Sequence, residues 1–400
     1  MIIGIDASRA NEKQKTGTEW YSYYLIQEIK KIAPPEMEFV LYSKETLSNG
    51  LENLPENFKS KVLRWPPKFL WTQIRLSWEM IWHKPDILFV PAHTIPLIHP
   101  KKTVTILHDI GFEKYPELYS QKFIGYKQSF FRGIIWLLIK IITLGKYSNT
   151  ELDYHRFSAR FALKHAQKII TVSQFSKNEI INIYKVNPGH VVVITPGYNS
   201  RYKQHASQDK RGEEILNKYR IKKSYFLSIG RLEEKKNTAG IVEAFALFKK
   251  KDENDYQLVL AGKPGYNFNR VEEVIKKYYL EKDVLMTGFV YDEDLPFLMQ
   301  HACLFLMPSF YEGFGLPIIE AMACGIPVVT SNIASMKEIA EKSGFLVNPY
   351  NTREIADAMD RLTKDVNLRN KLIENGLKKA CQYNWQDCAT QTLKVISSLG

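Results

Sequence analysis

The chain has 400 residues, 45% of them apolar and 24% charged, and carries a formal charge of +12. That balance excludes a disordered or collagen-like chain, and the length suits two domains of roughly 150–200 residues rather than a single core. The positive excess favours anionic partners such as nucleotides, phosphates or acidic lipid surfaces. Four cysteines (Cys303, Cys324, Cys381, Cys388) form no C-x-x-C pair, and no histidines stand at zinc spacing. A reduced, cytoplasmic compartment without a structural metal is therefore expected. With no basic-aromatic RNA signature or zinc finger, nucleic acid is not expected as a partner.

Along the chain, short apolar runs alternate with amphipathic stretches, as parallel sheets covered by helices require. "MIIGIDASRA" lacks the long apolar core of a signal peptide and reads as a strand (2–6) ending in an acid. Further strands are expected at 38–43, 86–91, 103–109, 168–173 and 190–196. "EWYSYYLIQEIKKI" is apolar at helical spacing, and Ser176 with Glu179 reads as a capping box opening another helix. The polar stretch 197–214 reads as an interdomain linker. Beyond it strands are expected at 225–230, 256–262, 284–290, 303–309 and 326–331, with helices from about Thr238 and near 270–280. The expectation is α/β: two tandem doubly wound Rossmann-like domains, 1–200 and 201–380, with a C-terminal helix over 381–400.

One region breaks the rhythm, an apolar and basic insert at about 121–160. Residues 121–170 hold nine Lys/Arg against two acids, and 130–144 places eleven apolar side chains in fifteen positions. As a helix that segment spans ~22 Å, short of the ~30 Å hydrocarbon core, so it is not expected to cross a bilayer. It either packs internally or lies in an anionic membrane surface, which would place the chain peripherally at the inner face of a membrane.

"PSFYEGFGLPIIEAMACGIPVVT" (308–330) follows a buried strand whose carboxyl end is where open α/β sheets bind ligands. Gly313 and Gly315 permit close backbone approach. Pro317 suits the first turn of a helix whose free N–H groups attract anions. Glu320 is expected in that first turn, either as a ligand group or as a favourable partner of the helix dipole. Glu312 is either a ligand group or a solvated loop acid.

The stretch resembles the E-x7-E region of retaining glycosyltransferases of family 4, which have the two-domain GT-B fold. "SIGRLEEKKNTAGIVEAF" is similar to the family's G-R…K-N loop. "TILHDIGFEKYPELY" and "HAQKIITVSQFSKNEI" are similar to its H-D and T-V-S-x-F-S elements, and "YNWQDCATQTLKVI" to its final tryptophan-bearing helix, which commonly returns to the first domain. The resemblance implies transfer of a hexose from a nucleotide diphosphate sugar, GDP-mannose ahead of a UDP-hexose, to a hydroxyl of a glycan or lipid-linked glycan. No separate cofactor is implied. Glu320 would hold the ribose and Glu312 the transferred sugar, with the backbone of Gly313, Phe314 and Gly315 around it. Leu316 would lie near ribose and phosphates, and Val290 would meet the base through its backbone. Arg231 and Lys236 would hold the diphosphate. His108 would stand near the sugar and the attacking hydroxyl, and Gly17 on the loop approaching phosphates or acceptor.

"DED" at 292–294 spells a metal-binding D-x-D but precedes a helix start, where acids are ordinary, so a metal is not expected. No G-x-G-x-x-G follows any strand, which disfavours a nicotinamide enzyme.

Overall fold

The computed structural model describes residues 1–65, 70–119, 150–204, 210–251 and 254–400. The chain divides into two compact units, Met1–Gly197 with Asn384–Gly400, and Tyr198–Tyr383. The first holds seven parallel strands: β1 (Ile2–Asp6), β2 (Glu38–Ser43), β3 (Phe58–Val62), β4 (Ile87–Val90), β5 (Thr103–Ile106), β6 (Lys168–Thr171) and β7 (Val191–Val193). Their order is β3-β2-β1-β4-β5-β6-β7. The second holds β8 (Tyr225–Ile229), β9 (Gln257–Ala261), β10 (Val284–Gly288), β11 (Leu304–Met307), β12 (Val328–Ser331) and β13 (Phe345–Val347), ordered β10-β9-β8-β11-β12-β13. Each sheet is doubly wound, with its order reversing beside its first strand.

The central strands are buried on both faces, so they read as unbroken apolar runs; β4 is buried at every position. Two edge strands escape that signal. β3, "FKSKV", buries only Phe58 and leaves its other residues exposed or half-buried. It is held by a five-residue register with β2 and by Phe58 stacking on Phe39 at 4.4 Å, a contact worth about 0.5–1.5 kcal/mol beyond its burial. β13 is only three residues long.

The last helix, Trp385–Ser397, packs on Gly17–Ile32, the helix after β1. Trp385 meets Tyr21 and Tyr24 at ring distances of 5.3 and 5.6 Å, and the Tyr21 hydroxyl lies 3.7 Å from Cys388 Sγ. Gly197 makes this approach possible, since a Cβ there would lie 2.2 Å from the Trp385 nitrogen.

Two sequence expectations need correction. The stretch 197–214 is no free linker where it is described. Tyr202 is buried, Gln300 donates to the Lys203 carbonyl at 2.7 Å, and Lys210–Lys218 is a helix of the second unit. The helix Gln174–Tyr184 is capped by Ser173, which accepts from the Ser176 N–H at 3.0 Å; Glu179 pairs with Lys114 instead of closing a box. Of the insert, 121–149 and with it the segment 130–144 lie outside the described residues, and 151–160 belongs to the ordinary helix Glu151–His165.

Candidate functional site

In the second sheet the order reverses between β8 and β11, so the loops after these two strands flank the place where doubly wound sheets bind ligands. Both loops carry predicted site residues.

The loop after β8 leaves the sheet through an unusually close crossing. Gly230 has φ +142° and Gly262 φ +157°, and a Cβ on Gly262 would lie 1.7 Å from the Gly230 carbonyl oxygen. Beyond it the chain is tied down by backbone bonds from Leu232 N to Lys263 O and from Glu234 N to Tyr266 O, both 3.0 Å. Asn237, in the left-handed region at φ 54°, is buried and donates to the Pro308 and Pro349 carbonyls at 3.2 and 2.8 Å. That bond joins this loop to the one after β11. On the framework, Arg231 is exposed and makes no hydrogen bond or ion pair with any described residue.

The loop after β11 is more deeply set. Glu312 is 8% exposed, and its carboxylate pairs with Lys236 Nζ at 2.5 Å. The Ser335 hydroxyl, fully buried, spans the Glu312 and Phe314 carbonyls at 2.8 and 2.9 Å. Phe314 turns its ring edge-on to Tyr383 at 5.5 Å, so its contribution to the loop is backbone. Gly315 caps the next helix at φ +103°, a conformation a side chain would strain. Leu316 opens that helix, Leu316–Ala323, with Pro317 in its first turn.

Glu320 is the fifth helical residue and stands in the second turn, not the first. Dipole stabilisation fades within the first turn, so that reading of Glu320 falls. Part of its surface meets solvent, yet burial pushes its pKa up to about 8, with the negative charge of Asp292 adding to the effect.

Val290 is buried just past β10, whose last residue Gly288 has φ +68°. His108 and Gly17 belong to the first unit. Gly17 opens a helix whose start is closed by Glu19, the acceptor of the Thr16 N–H at 3.1 Å and the partner of Arg9 at 3.3 Å. His108 follows β5, edge-on to Tyr21 at 4.7 Å. Burial pushes its pKa down to about 4; Asp109 opposes the shift and Arg9 adds to it. Its Nε2 has no hydrogen-bond partner among the described residues. It is a neutral ring at physiological pH.

Two of the three acids at 292–294 are engaged elsewhere. Asp294 accepts from Lys218 at 2.6 Å and from the Tyr219 hydroxyl at 2.7 Å, and Asp292 pairs with Arg201. Among the described residues no group of three or more His, Cys, Asp or Glu could hold a metal ion.

Sequence reasoning gave no role to Asn237 or Ser335. Asn237 follows the charged run "EEKK" and Ser335 lies in "NIASMKEIA", and a local pattern cannot show which distant carbonyl either serves. Ser335→Ala leaves two buried carbonyls without their donor and should cost about 1–3 kcal/mol. It should also reduce turnover by loosening the Glu312 loop. Thermal unfolding and steady-state kinetics check this, and an unchanged midpoint would remove the assignment.

Residues 212–379 match the family described as glycosyl transferases group 1. The O-antigen chain mannosyltransferase B of Escherichia coli is 31% identical over 307 residues, 76% of this chain and 79% of that protein. Among solved structures, sucrose-phosphate synthase from Thermosynechococcus elongatus has a TM-score of 0.71 at 18% identity, covering 100% of this chain and 98% of that one. Anabaena HepE, solved with UDP and glucose, has a TM-score of 0.70 at 18% identity, covering 99% of each chain. At such identity the structures speak to fold alone, and that fold is GT-B, two Rossmann-like domains of seven and six parallel strands. The family match and the Escherichia coli relative reach further: the chain belongs to the glycosyl transferases group 1 family and is a glycosyltransferase.

Proposed function

We propose that the protein is a retaining, metal-independent mannosyltransferase of glycosyltransferase family 4, acting on a nucleotide diphosphate sugar and a hydroxyl of a glycan or lipid-linked glycan. The observation that carries the reading is the charge pattern beside the β8–β11 reversal: an Arg231 without a partner among the described residues, a Lys236–Glu312 pair and a half-buried Glu320. A diphosphate brings negative charge to a site whose exposed guanidinium has no partner among the described residues. Lys236 and Glu312 pair with each other at 2.5 Å. On donor binding the ammonium is suited to a phosphate oxygen and the carboxylate to sugar hydroxyls. Glu320 is suited to accept from the ribose hydroxyls.

For the reaction, the acceptor oxygen forms its bond to the anomeric carbon on the face from which the phosphate leaves. The carbon–oxygen bond to the diphosphate breaks, and the departing phosphate oxygen takes the acceptor proton. Arg231 and Lys236 stabilise the charge growing on that phosphate. His108, neutral, contributes a hydrogen bond on the acceptor side. Mannose is favoured because the Escherichia coli relative is named a mannosyltransferase, and the diphosphate donor because HepE was solved with UDP.

A panel of nucleotide sugars tests the reading by thermal shift and by release of free nucleotide. GDP-mannose should raise the unfolding midpoint and be consumed, with turnover unchanged by EDTA. A response to UDP-hexoses alone would replace the donor, and loss of activity in EDTA restored by Mn²⁺ would overturn the metal-free chemistry. Binding of a donor with no turnover on any acceptor would mark a non-catalytic nucleotide-sugar-binding protein.

A further inference from the structure

All strands of the first sheet are parallel, so their amino ends share one edge, opposite the carboxyl ends where Asp6 and His108 stand. That edge is apolar at its centre. The helix Ser77–Trp82, just before β4, exposes Trp78 at 60%, Ile81 at 49% and Trp82 at 67%. The Ile98 N–H, on the segment before β5, donates to the Ser77 hydroxyl at 3.2 Å, and that segment exposes Leu97 and Ile98. Beside β4 in the sheet, β1 begins with exposed Met1 and Ile2. Scattered exposed apolar residues need no explanation, but two exposed indoles with ring centroids 6.5 Å apart on one short helix, tied to the segment that exposes Ile98, do.

The rim of the patch is basic. His83 and Lys84 follow the tryptophan helix, Lys101 and Lys102 follow Ile98, and Lys164 and Lys168 precede and open β6, the next strand along. Three acids near this face have partners, among them Glu38, beside Ile2 in the sheet, which pairs with Lys59 at 3.4 Å. Glu79 pairs with Lys61, Arg75 and His83, and Asp86 accepts the Ile2 N–H at 2.8 Å. Indoles on a helix surface within a ring of lysines match the layering of a bilayer surface, where tryptophan sits at headgroup depth and lysine meets anionic lipid. No helix among the described residues is long and apolar enough to cross a membrane, so such a face rests on the surface.

We propose that the amino-terminal edge of the first sheet is a docking face for an anionic lipid surface, seated by Trp78 and Trp82 and held by Lys84, Lys101 and Lys102. It is tested without donor or acceptor, so its failure and the failure of the transferase reading are separable. The full chain is mixed with vesicles of phosphatidylcholine alone or with phosphatidylglycerol, and with brominated lipid as a quencher of tryptophan fluorescence. The protein should sediment with the anionic vesicles, and its fluorescence should be quenched. Trp78→Ser with Trp82→Ser should lower partitioning at least about tenfold. It should also reduce quenching while leaving the unfolding midpoint unchanged. Each of Lys84→Gln, Lys101→Gln and Lys102→Gln should weaken binding about fivefold, an effect suppressed by salt. Protein that stays in solution overturns the proposal. So does a double variant that binds unchanged, which would move attachment to another segment such as 130–144, or one that converts a dimer to a monomer, which would make the patch a contact between copies.

Discussion

Replacing Arg231 by alanine should lower kcat about 10²–10³-fold while changing stability by less than about 0.5 kcal/mol. The separation follows from its setting. The guanidinium is exposed and makes no hydrogen bond or ion pair with the described residues, so truncation removes nothing the folded state relies on. What it removes is a fixed positive charge beside the strand reversal, where charge develops on the leaving phosphate. A cation whose partner appears mainly in the transition state shows its worth in kcat, and the donor Kd should move far less. Lys236 is a less informative probe. Lys236→Ala would strand the Glu312 carboxylate, 8% exposed, without its ion-pair partner, so lost activity would be mixed with lost stability. Arg231→Lys keeps the charge but loses the planar fork and should fall between wild type and alanine. Calorimetric donor binding, kcat and thermal unfolding measured together decide the matter. Unchanged kinetics in the alanine variant would remove Arg231 from the mechanism.

The sequence made the central strands legible because burial on both faces leaves an unbroken apolar run, as in "ILFV" and "LFLM". β3 and β13 were not legible, since an edge strand's pairing depends on its neighbour rather than on its own pattern. The capping box placed at Ser176 missed by three positions: serines stand at both 173 and 176, and only backbone geometry selects the one that caps. The donor-side loops were legible as a resemblance of ordered motifs, which carried Arg231, Lys236, Glu312 and Glu320 to one sheet edge. The supports of those loops were not. Asn237 reaches carbonyls 71 and 112 residues away, and Ser335 reaches back 23 and 21. The pairing of Lys236 with Glu312 was likewise invisible, because each residue was read against a ligand and not against the other.

Glu320→Gln should weaken donor binding about 10–100-fold at pH 8 and abolish its pH dependence. In the folded protein burial, with Asp292 second, holds the Glu320 pKa up at about 8, against 4.5 ordinarily. Below 4.5 the group is protonated folded or unfolded and contributes nothing to the pH dependence of stability. Between 4.5 and 8 the folded chain keeps a proton that the unfolded chain releases, so stability falls as pH rises, and above about 8 the whole cost is present. Glutamine carries no charge to desolvate, so the variant should gain relative to wild type across that window, levelling off near ~2 kcal/mol because part of the side chain meets water. Donor binding runs the other way. Ribose hydroxyls donate to a carboxylate, which favours its ionised form and lowers its pKa, so binding near neutral pH expels a proton. Wild-type affinity should therefore climb with pH to about 8 and then flatten, with proton release visible by calorimetry in buffers of different ionisation enthalpy. If Glu320→Gln binds donor as tightly as wild type, or keeps the same slope with pH, the carboxylate is not the ribose acceptor.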